Sequence, residues 1–511
     1  MNDSKKIVIV GGGTAGWLTA LIVKKAFPNA SIDLVESSQI GILGAGEGAT
    51  PHFLSALEYA DITLKDLISN TSSTIKNGIL FDGWSKNREA YIHGFGVHDG
   101  RFRQDLFNNS VTNFDFTSAP MLQYLAEYNQ SAESDLGFLT NLSLKNKTLF
   151  RKENGQYAQH GIYAVHFDAK SLAEYMAKVA RERGVKRIEG KVQDIYREES
   201  GNISHLVLDN GREVRGEFFF DCTGFARLII GKMFESEWVS FKDSLPAKRA
   251  MPFFLDPDKD SVQPYTHAKA MDRGWVWKIP LQHRYGCGYV YDPDQISDED
   301  VKLEIDQFAG KEVEIPRIFN FEPGYYKRVW IKNCLALGLS NGFVEPLEAT
   351  SIMQLLFALQ TLLSQRHKMF SDDEVFKENY NRQIEEDHLD IESFIYLHYM
   401  TDKDNNDFWA NFTKNYKMPD RLVPTVERIK HGILNMRDNT GIFDINSHLV
   451  VARGNGLLER ENVEQIYEAS IKHLEFDRFL SDIAEDIQSQ VGTMADHAQF
   501  LIDMGGTLGK R

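Results

Sequence analysis

Three stretches of this chain set chemistry-bearing residues at meaningful spacings. IVIVGGGTAGW carries Gly11, Gly13 and Gly16 as G-x-G-x-x-G, with Glu36 twenty residues after the last glycine. Such a turn lets a pyrophosphate approach the backbone, and the acid can accept hydrogen bonds from a ribose diol. FVEPLEATSI places Glu345 and Glu348 at i and i+3. If Pro346 opens a helical turn, both carboxylates lie toward one face. Taken alone, they could equally cap a helix N-terminus. GWVWKIP sets two of the chain's seven tryptophans, Trp275 and Trp277, one residue apart. On a strand they share a face and form an aromatic wall, either core or the lining of a ligand site.

Elements to position these residues can be read around them. Ile7–Val10 is a short apolar run, as in a buried parallel strand. Helical spacing follows from Ala15 to Ala26, and residues 31–35 give a second strand ending at Glu36. Thr14 and Ala15 then stand at the helix entrance, where free N–H groups and the dipole favour phosphate. Strand, turn, helix, strand and acid in this order predict an α/β dinucleotide-binding unit of the Rossmann type, and Glu36 argues against a 2′-phosphate.

FFFDCTGFARLII offers an aromatic strand and an acid–x–Thr–Gly turn at Asp221. NCLALGLSNGFVEPLEATSI adds a late strand-to-helix turn with Gly338. FAD enzymes with two such turns bring them beside the first glycine motif, and no second G-x-G-x-x-G exists here to hold a nicotinamide cofactor. One bound FAD, reduced by a separate flavin reductase, is the expectation.

In this order GGGTAGW (11–17), GAGEGATP (44–51), IKNGILFDGW (75–84), YIHGFG (91–96), DCTGF (221–225), GWVWKIP (274–280) and FVEPLEATSI (343–352) resemble the flavin-dependent halogenases, best known as tryptophan halogenases. The resemblance implies a flavoprotein-monooxygenase fold over roughly 1–360, with a substrate-facing insertion near 85–165. It also implies a mainly helical module over 361–511 that covers the substrate tunnel. Lys76, matched by Ile79, Phe81 and Trp84 in K-x-x-I-x-F-x-x-W, is then the catalytic lysine. Hypohalous acid would be polarised there toward an arene, or captured as a haloamine. A partly buried site suits either role, since burial lowers a lysine pKa and removes competing water. A lysine without that flanking pattern reads as a surface charge. Glu348 would orient the electrophile and take the ring proton. Trp275 and Trp277 become a wall that keeps organic substrate off the flavin, so that halide is oxidised and the substrate is not hydroxylated.

Several further roles follow from the resemblance. Halide, chloride or bromide, would sit on Thr350 and Ser351. Ala49 and Ile352 would join Gly11, Gly13, Thr14, Ala15, Gly16, Glu36, Asp221 and Gly338 around FAD. His93 and Phe95 would sandwich the aromatic substrate, indole- or phenol-like. Phe408 and Trp409 are further aromatic candidates. Many tryptophan halogenases have Ser-Thr-Gly where this chain has Ala349-Thr350-Ser351, which removes one hydroxyl and one glycine. The competing expectation is a flavin monooxygenase that hydroxylates its arene directly. It has no use for Lys76, Glu348 and the two tryptophans together.

Bulk composition frames these readings. The chain has 511 residues, 42% of them hydrophobic and 25% charged, enough for a large core. A net charge of −16 argues against nucleic acid or an anionic membrane as partner. Cys222, Cys287 and Cys334 are isolated, which predicts neither a disulfide framework nor a zinc cluster. A cytoplasmic protein is expected, with a homodimer allowed. DKDNND (402–407) imitates a calcium loop, but its sixth position is Asp407 and its twelfth Thr413, so no metal is predicted.

Overall fold

A computed structural model describes residues 5–41, 46–95, 137–258, 261–431, 441–459, 461–462, 465 and 476–509. The middle of the expected insertion and part of the helical pattern at 462–488 lie outside the described residues. The chain divides into two compact units, each assembled from three segments. Met1–Ser73, His166–Lys242 and Asn320–Leu389 form the first; Thr74–Val165, Asp243–Phe319 and Asp390–Arg511 form the second. Residue 360 falls inside the helix Thr350–Ser364 of the first unit. Beyond it the described elements are helical, beginning with the long helix Glu374–Tyr399.

The first unit is built on a sheet ordered Lys186–Glu189, Ser31–Glu36, Lys6–Val10, Phe218–Asp221, Cys334–Ala336, Trp330–Ile331. All neighbours are parallel except the last pair. Its central strands are apolar on both faces and buried, as parallel strands flanked by helices must be. Strand order reverses beside Lys6–Val10, and the crevice at such a switch point is where open α/β sheets bind ligands. The expected helix runs Thr14–Ala26 and the expected second strand Ser31–Glu36.

The second unit carries a mixed sheet that includes, in order, Arg249–Leu255, Tyr285–Tyr291, Gly274–Pro280, Tyr265–Ala270, Gly78–Asp82 and Ala90–Gly94. One of these pairings is parallel, Tyr265–Ala270 with Gly78–Asp82. The tryptophan strand is Gly274–Pro280, antiparallel to both its neighbours. The three cysteines are buried and free. Among the described residues no helix is long and apolar enough to cross a membrane.

Candidate active site

Two glycines of the first turn are fixed by sterics. Gly11 sits at φ +116°, and a Cβ there would lie 2.1 Å from the Cys222 carbonyl oxygen. A Cβ on Gly16 would lie 1.8 Å from the Gly11 carbonyl oxygen, so this glycine lets helix and turn touch. Gly13 caps the helix with no side-chain bond, and a Cβ there would meet open space. Free helix N–H groups facing open room are what a pyrophosphate needs. The late turn joins them: Gly338, at φ +63°, would bring a Cβ within 3.0 Å of the Ala15 methyl. Ala49 is fully buried just before the helix Pro51–Tyr59, and Ile352 is buried in the first turn of Thr350–Ser364. These residues fit a dinucleotide cofactor.

Two acids of this unit are already engaged. The Glu36 carboxylate is ion-paired with Arg187 on the adjoining parallel strand, and Arg187 also reaches Glu189 at 2.5 Å. Arg187 carried no motif that would have singled it out. Asp221 accepts from the Thr223 N–H and hydroxyl on one oxygen, at 3.0 and 2.7 Å. Its other oxygen accepts from Ile229 and Ile230 N–H, at 2.9 and 3.0 Å. Four bonds fill a carboxylate's lone-pair sites, so Asp221 shapes the loop after its strand.

The segment with the two glutamates differs from expectation in one respect. Pro346 opens a tight turn, not a helix; it closes with Ala349 N–H donating to the Pro346 carbonyl at 3.2 Å. Ala349 is left-handed at φ +56°, a conformation that costs a non-glycine residue about 1–2 kcal/mol. The helix begins only at Thr350, with no side-chain cap and no acid in its first turn. Glu348 is buried within the Pro346–Ala349 turn, and Glu345, just before it, is buried too. The Thr350 hydroxyl is buried and has no hydrogen-bond partner among the described residues. Bare helix N–H groups beside a buried hydroxyl suit a small anion.

In the second unit Lys76 ends the strand Thr74–Lys76 and has no solvent-exposed surface. Its Nζ lies 5.1 Å from the centre of the Phe95 ring. The strand is fixed on both sides. The Thr74 hydroxyl donates to the carbonyl of Pro280, the end of the tryptophan strand, at 2.7 Å. Ile75 N–H donates to His497 Nε2 at 3.0 Å, and Asn77 N–H donates to Pro264 at 2.6 Å. His497 in turn donates from Nδ1 to the Val262 carbonyl at 2.7 Å. Three bonds on the residues around it therefore hold the lysine's backbone in place.

Trp275 is buried, Trp277 half-buried, and their ring centres stand 6.1 Å apart. Gly288 lies opposite Trp277 in the ladder, and a Cβ on it would fall 2.1 Å from the indole. The indole therefore lies flat over a backbone kept bare for it. His93 and Phe95 take different partners. The His93 ring is 5.7 Å from Phe394, while Phe95 faces Lys76. Phe394 stacks on Phe443 at 3.9 Å and meets His398 and His448 edge-on, at 4.8 and 5.1 Å. Phe408 and Trp409 belong to the core: Trp409 packs on Trp84 and Tyr399, and its Nε1 donates to the Met271 carbonyl. The calcium-like loop is tied down by protein: Asp402 accepts from Lys86 and Asn87, and Asn406 caps the helix Asp407–Ala410.

Burial lowers His497 from 6.5 to about 4 and His388 to about 3. Both are depressed, so the unfolded chain takes up protons that the folded one refuses. The stability they contribute is complete above about pH 6.5 and drains as pH falls toward 4. Glu392, raised by burial to about 7, runs the opposite way between 4.5 and 7. The test is therefore a difference. Thermal midpoints of wild type and His497→Gln, followed from pH 7.5 to 4.5, should converge as pH falls; parallel curves would show that His497 does not titrate on unfolding.

A family model described as tryptophan halogenase matches residues 6–470. Tryptophan 6-halogenase SttH of Streptomyces toxytricini is 32% identical over 467 residues, 86% of each chain. Tryptophan 7-halogenase RebH of Lentzea aerocolonigenes is 30% identical over 462 residues, 84% of this chain and 82% of its own. Among solved structures, a flavin-dependent halogenase from Xanthomonas campestris aligns with a TM-score of 0.85 at 29% identity, covering 99% of this chain and 100% of its own. BrvH, a flavin-dependent halogenase from Brevundimonas sp. BAL3, aligns with a TM-score of 0.84 at 27% identity, covering 98% and 99%.

Proposed function

Because this chain belongs to the tryptophan halogenase family, we propose that it is an FADH2-dependent halogenase acting on an electron-rich arene, indole- or phenol-like, with a separate flavin reductase. The observation that carries this is a wholly buried Lys76 on a strand anchored by Pro280 and His497. Burying an ammonium group costs several kcal/mol, a cost that a lysine with only a surface role avoids by staying in water.

Bound reduced flavin, with oxygen, supplies the oxidation of halide to hypohalous acid. Thr350 and Ser351 hold the halide on the bare helix N-terminus. Trp275 and Trp277 keep the arene from the oxidant's source. Lys76 donates a hydrogen bond to the oxygen of hypohalous acid, which polarises the oxygen–halogen bond. The arene carbon attacks the halogen, a carbon–halogen bond forms as the oxygen–halogen bond breaks, and the oxygen leaves as water with the proton that Lys76 donates. Glu348 takes the ring proton that restores aromaticity. His93 and Phe95 orient the arene.

The test combines purified protein, FAD, a generic flavin reductase, NADH and oxygen with indole and a panel of phenols, in chloride and in bromide. The expected product shows the halogen isotope pattern by mass spectrometry. A gain of one oxygen in place of halogen would make the protein a hydroxylating monooxygenase. The two tryptophans are shields, not reactants. Trp275→Phe with Trp277→Phe should keep halogenation within about tenfold of wild type. Complete loss in a folded protein would give them a part in the chemistry.

A further inference from the structure

The left-handed turn and bare helix start between Gly342 and Met353 carry Glu348, Thr350 and Ser351. One side chain touches both ends of this segment. His388, on the helix Glu374–Tyr399, is buried. Its Nε2 bonds to Asn341 Oδ1 at 2.7 Å, just before the segment, and its Nδ1 to Gln354 Nε2 at 2.7 Å, just after it. We propose that His388 is a positioning residue for halogenation: as a neutral, tautomer-locked imidazole it clasps Asn341 to Gln354 and fixes the turn presenting Glu348 and the halide-binding N–H groups. This rests on the function proposed above.

Several independent features point the same way. An amide oxygen only accepts and an amide NH2 only donates, so the pair of bonds is met by one form of the ring, with hydrogen on Nε2 and none on Nδ1. A second proton would set N–H against NH2 and break the clasp. Burial, which lowers the ring to about 3, keeps it neutral. The space it fills has been cleared for it: a Cβ on Gly342 would lie 2.4 Å from the imidazole Cε1. One face is covered by Tyr325, stacked at 5.0 Å and 12°, whose hydroxyl donates to Glu385 at 2.7 Å, one turn earlier on the same helix. Tyr325 also pairs with Gly342 in the ladder, and Asn341 accepts from Tyr326 N–H through its carbonyl at 2.9 Å. The far end is equally firm, because Gln354 lies on the helix whose first turn is Thr350 and Ser351. What the clasp encloses is weakly held by its own sequence. Its helix has no side-chain cap, and its turn residue is an alanine in a glycine conformation. A displacement of about 1 Å in such a segment can cost a reaction ~100-fold.

The experiment compares wild type with His388→Ala, His388→Gln and Gln354→Ala. Glutamine can accept from Gln354 and donate to Asn341, so it is the rescuing variant. Hydrogen exchange of residues 342–353 is measured first, in apo protein, and needs no activity. It should quicken at least about tenfold in His388→Ala and return most of the way in His388→Gln. With reductase, bromide and indole, His388→Ala should bind flavin normally and raise the bromide KM. It should also cut brominated product per NADH consumed at least about tenfold, with peroxide formed instead, and His388→Gln should recover much of the yield. Gln354→Ala, which severs one end and leaves the imidazole in place, covers the case in which His388→Ala does not fold; it should show the same exchange and bromide effects more weakly. Unchanged exchange in 342–353, or exchange quickened with bromide dependence and product yield untouched, would overturn the proposal. Equal damage in His388→Ala and His388→Gln would overturn it too. If wild type makes no halogenated product, the functional reading fails, while the exchange result still decides whether the clasp exists.

Discussion

Lys76→Ala is expected to leave flavin binding and reoxidation intact and to lower halogenated product at least about a thousandfold, near the upper range for losing one proton-donating group. The lysine is wholly buried, so the loss must be separated from simple damage to packing. Lys76→Met keeps the four-atom stem and the volume while removing the charge and the donors. It should therefore fold like wild type and be equally inactive. Peroxide and hypohalite should escape from both variants in place of product, which a mass balance on NADH would register. Product retained in either variant would remove Lys76 from the mechanism. The neighbouring bonds to Pro280 and His497 involve Thr74 and the Ile75 backbone. They survive these substitutions, so the strand should stay where it is.

The second large effect is expected from a single methyl group. Gly16→Ala would drive Cβ to 1.8 Å from the Gly11 carbonyl oxygen and 2.9 Å from its carbon, both backbone atoms that no rotamer change can move. The helix must back away from the turn. That costs about 1–3 kcal/mol of stability as overpacking, and it withdraws the helix N–H groups from the phosphates. Flavin affinity should fall at least about a hundredfold, read by fluorescence titration of apo protein. Gly13→Ala is the companion, since its Cβ would meet no protein atom. It should leave the apo thermal midpoint unchanged and weaken flavin binding alone. Wild-type flavin affinity in both variants would mean that this turn does not hold the cofactor.

The sequence was most legible where local sterics dictate structure. Three glycines, a β-branched run and an acid at the right distance place the first helix within one residue of its position, Thr14–Ala26. The tryptophan strand was legible for the same reason, because alternation alone puts Trp275 and Trp277 side by side. The turn at 346–349 was not. Proline suggests a helix start, and nothing about an alanine announces that it will turn left-handed at position 349. Least legible were residues whose importance comes from distant contacts. His497 meets the lysine strand across 422 residues of sequence, Arg187 meets Glu36 across 151, and His388 meets Asn341 across 47. Each is a single polar residue in an amphipathic helix or an exposed strand, with no motif around it. Only the fold shows that its nitrogen completes a bond elsewhere.

The parallel sheet of the first unit also governs how the chain can be made. Its second residue row pairs Ile7 with Phe218, and the next strand out begins at Cys334. On a ribosome adding 5–20 residues per second, the first strand waits roughly 10–40 s for the Phe218–Asp221 strand. During the wait an apolar strand and the sticky side of its helix are exposed, with the cofactor turn already written but not yet closed by Cys222. Nascent chains in that interval are natural clients for chaperones, and slower translation before codon 218 would lengthen the exposure. Yield in a fast-growing host should therefore respond more to chaperone supply and temperature during synthesis than to the stability of the finished protein.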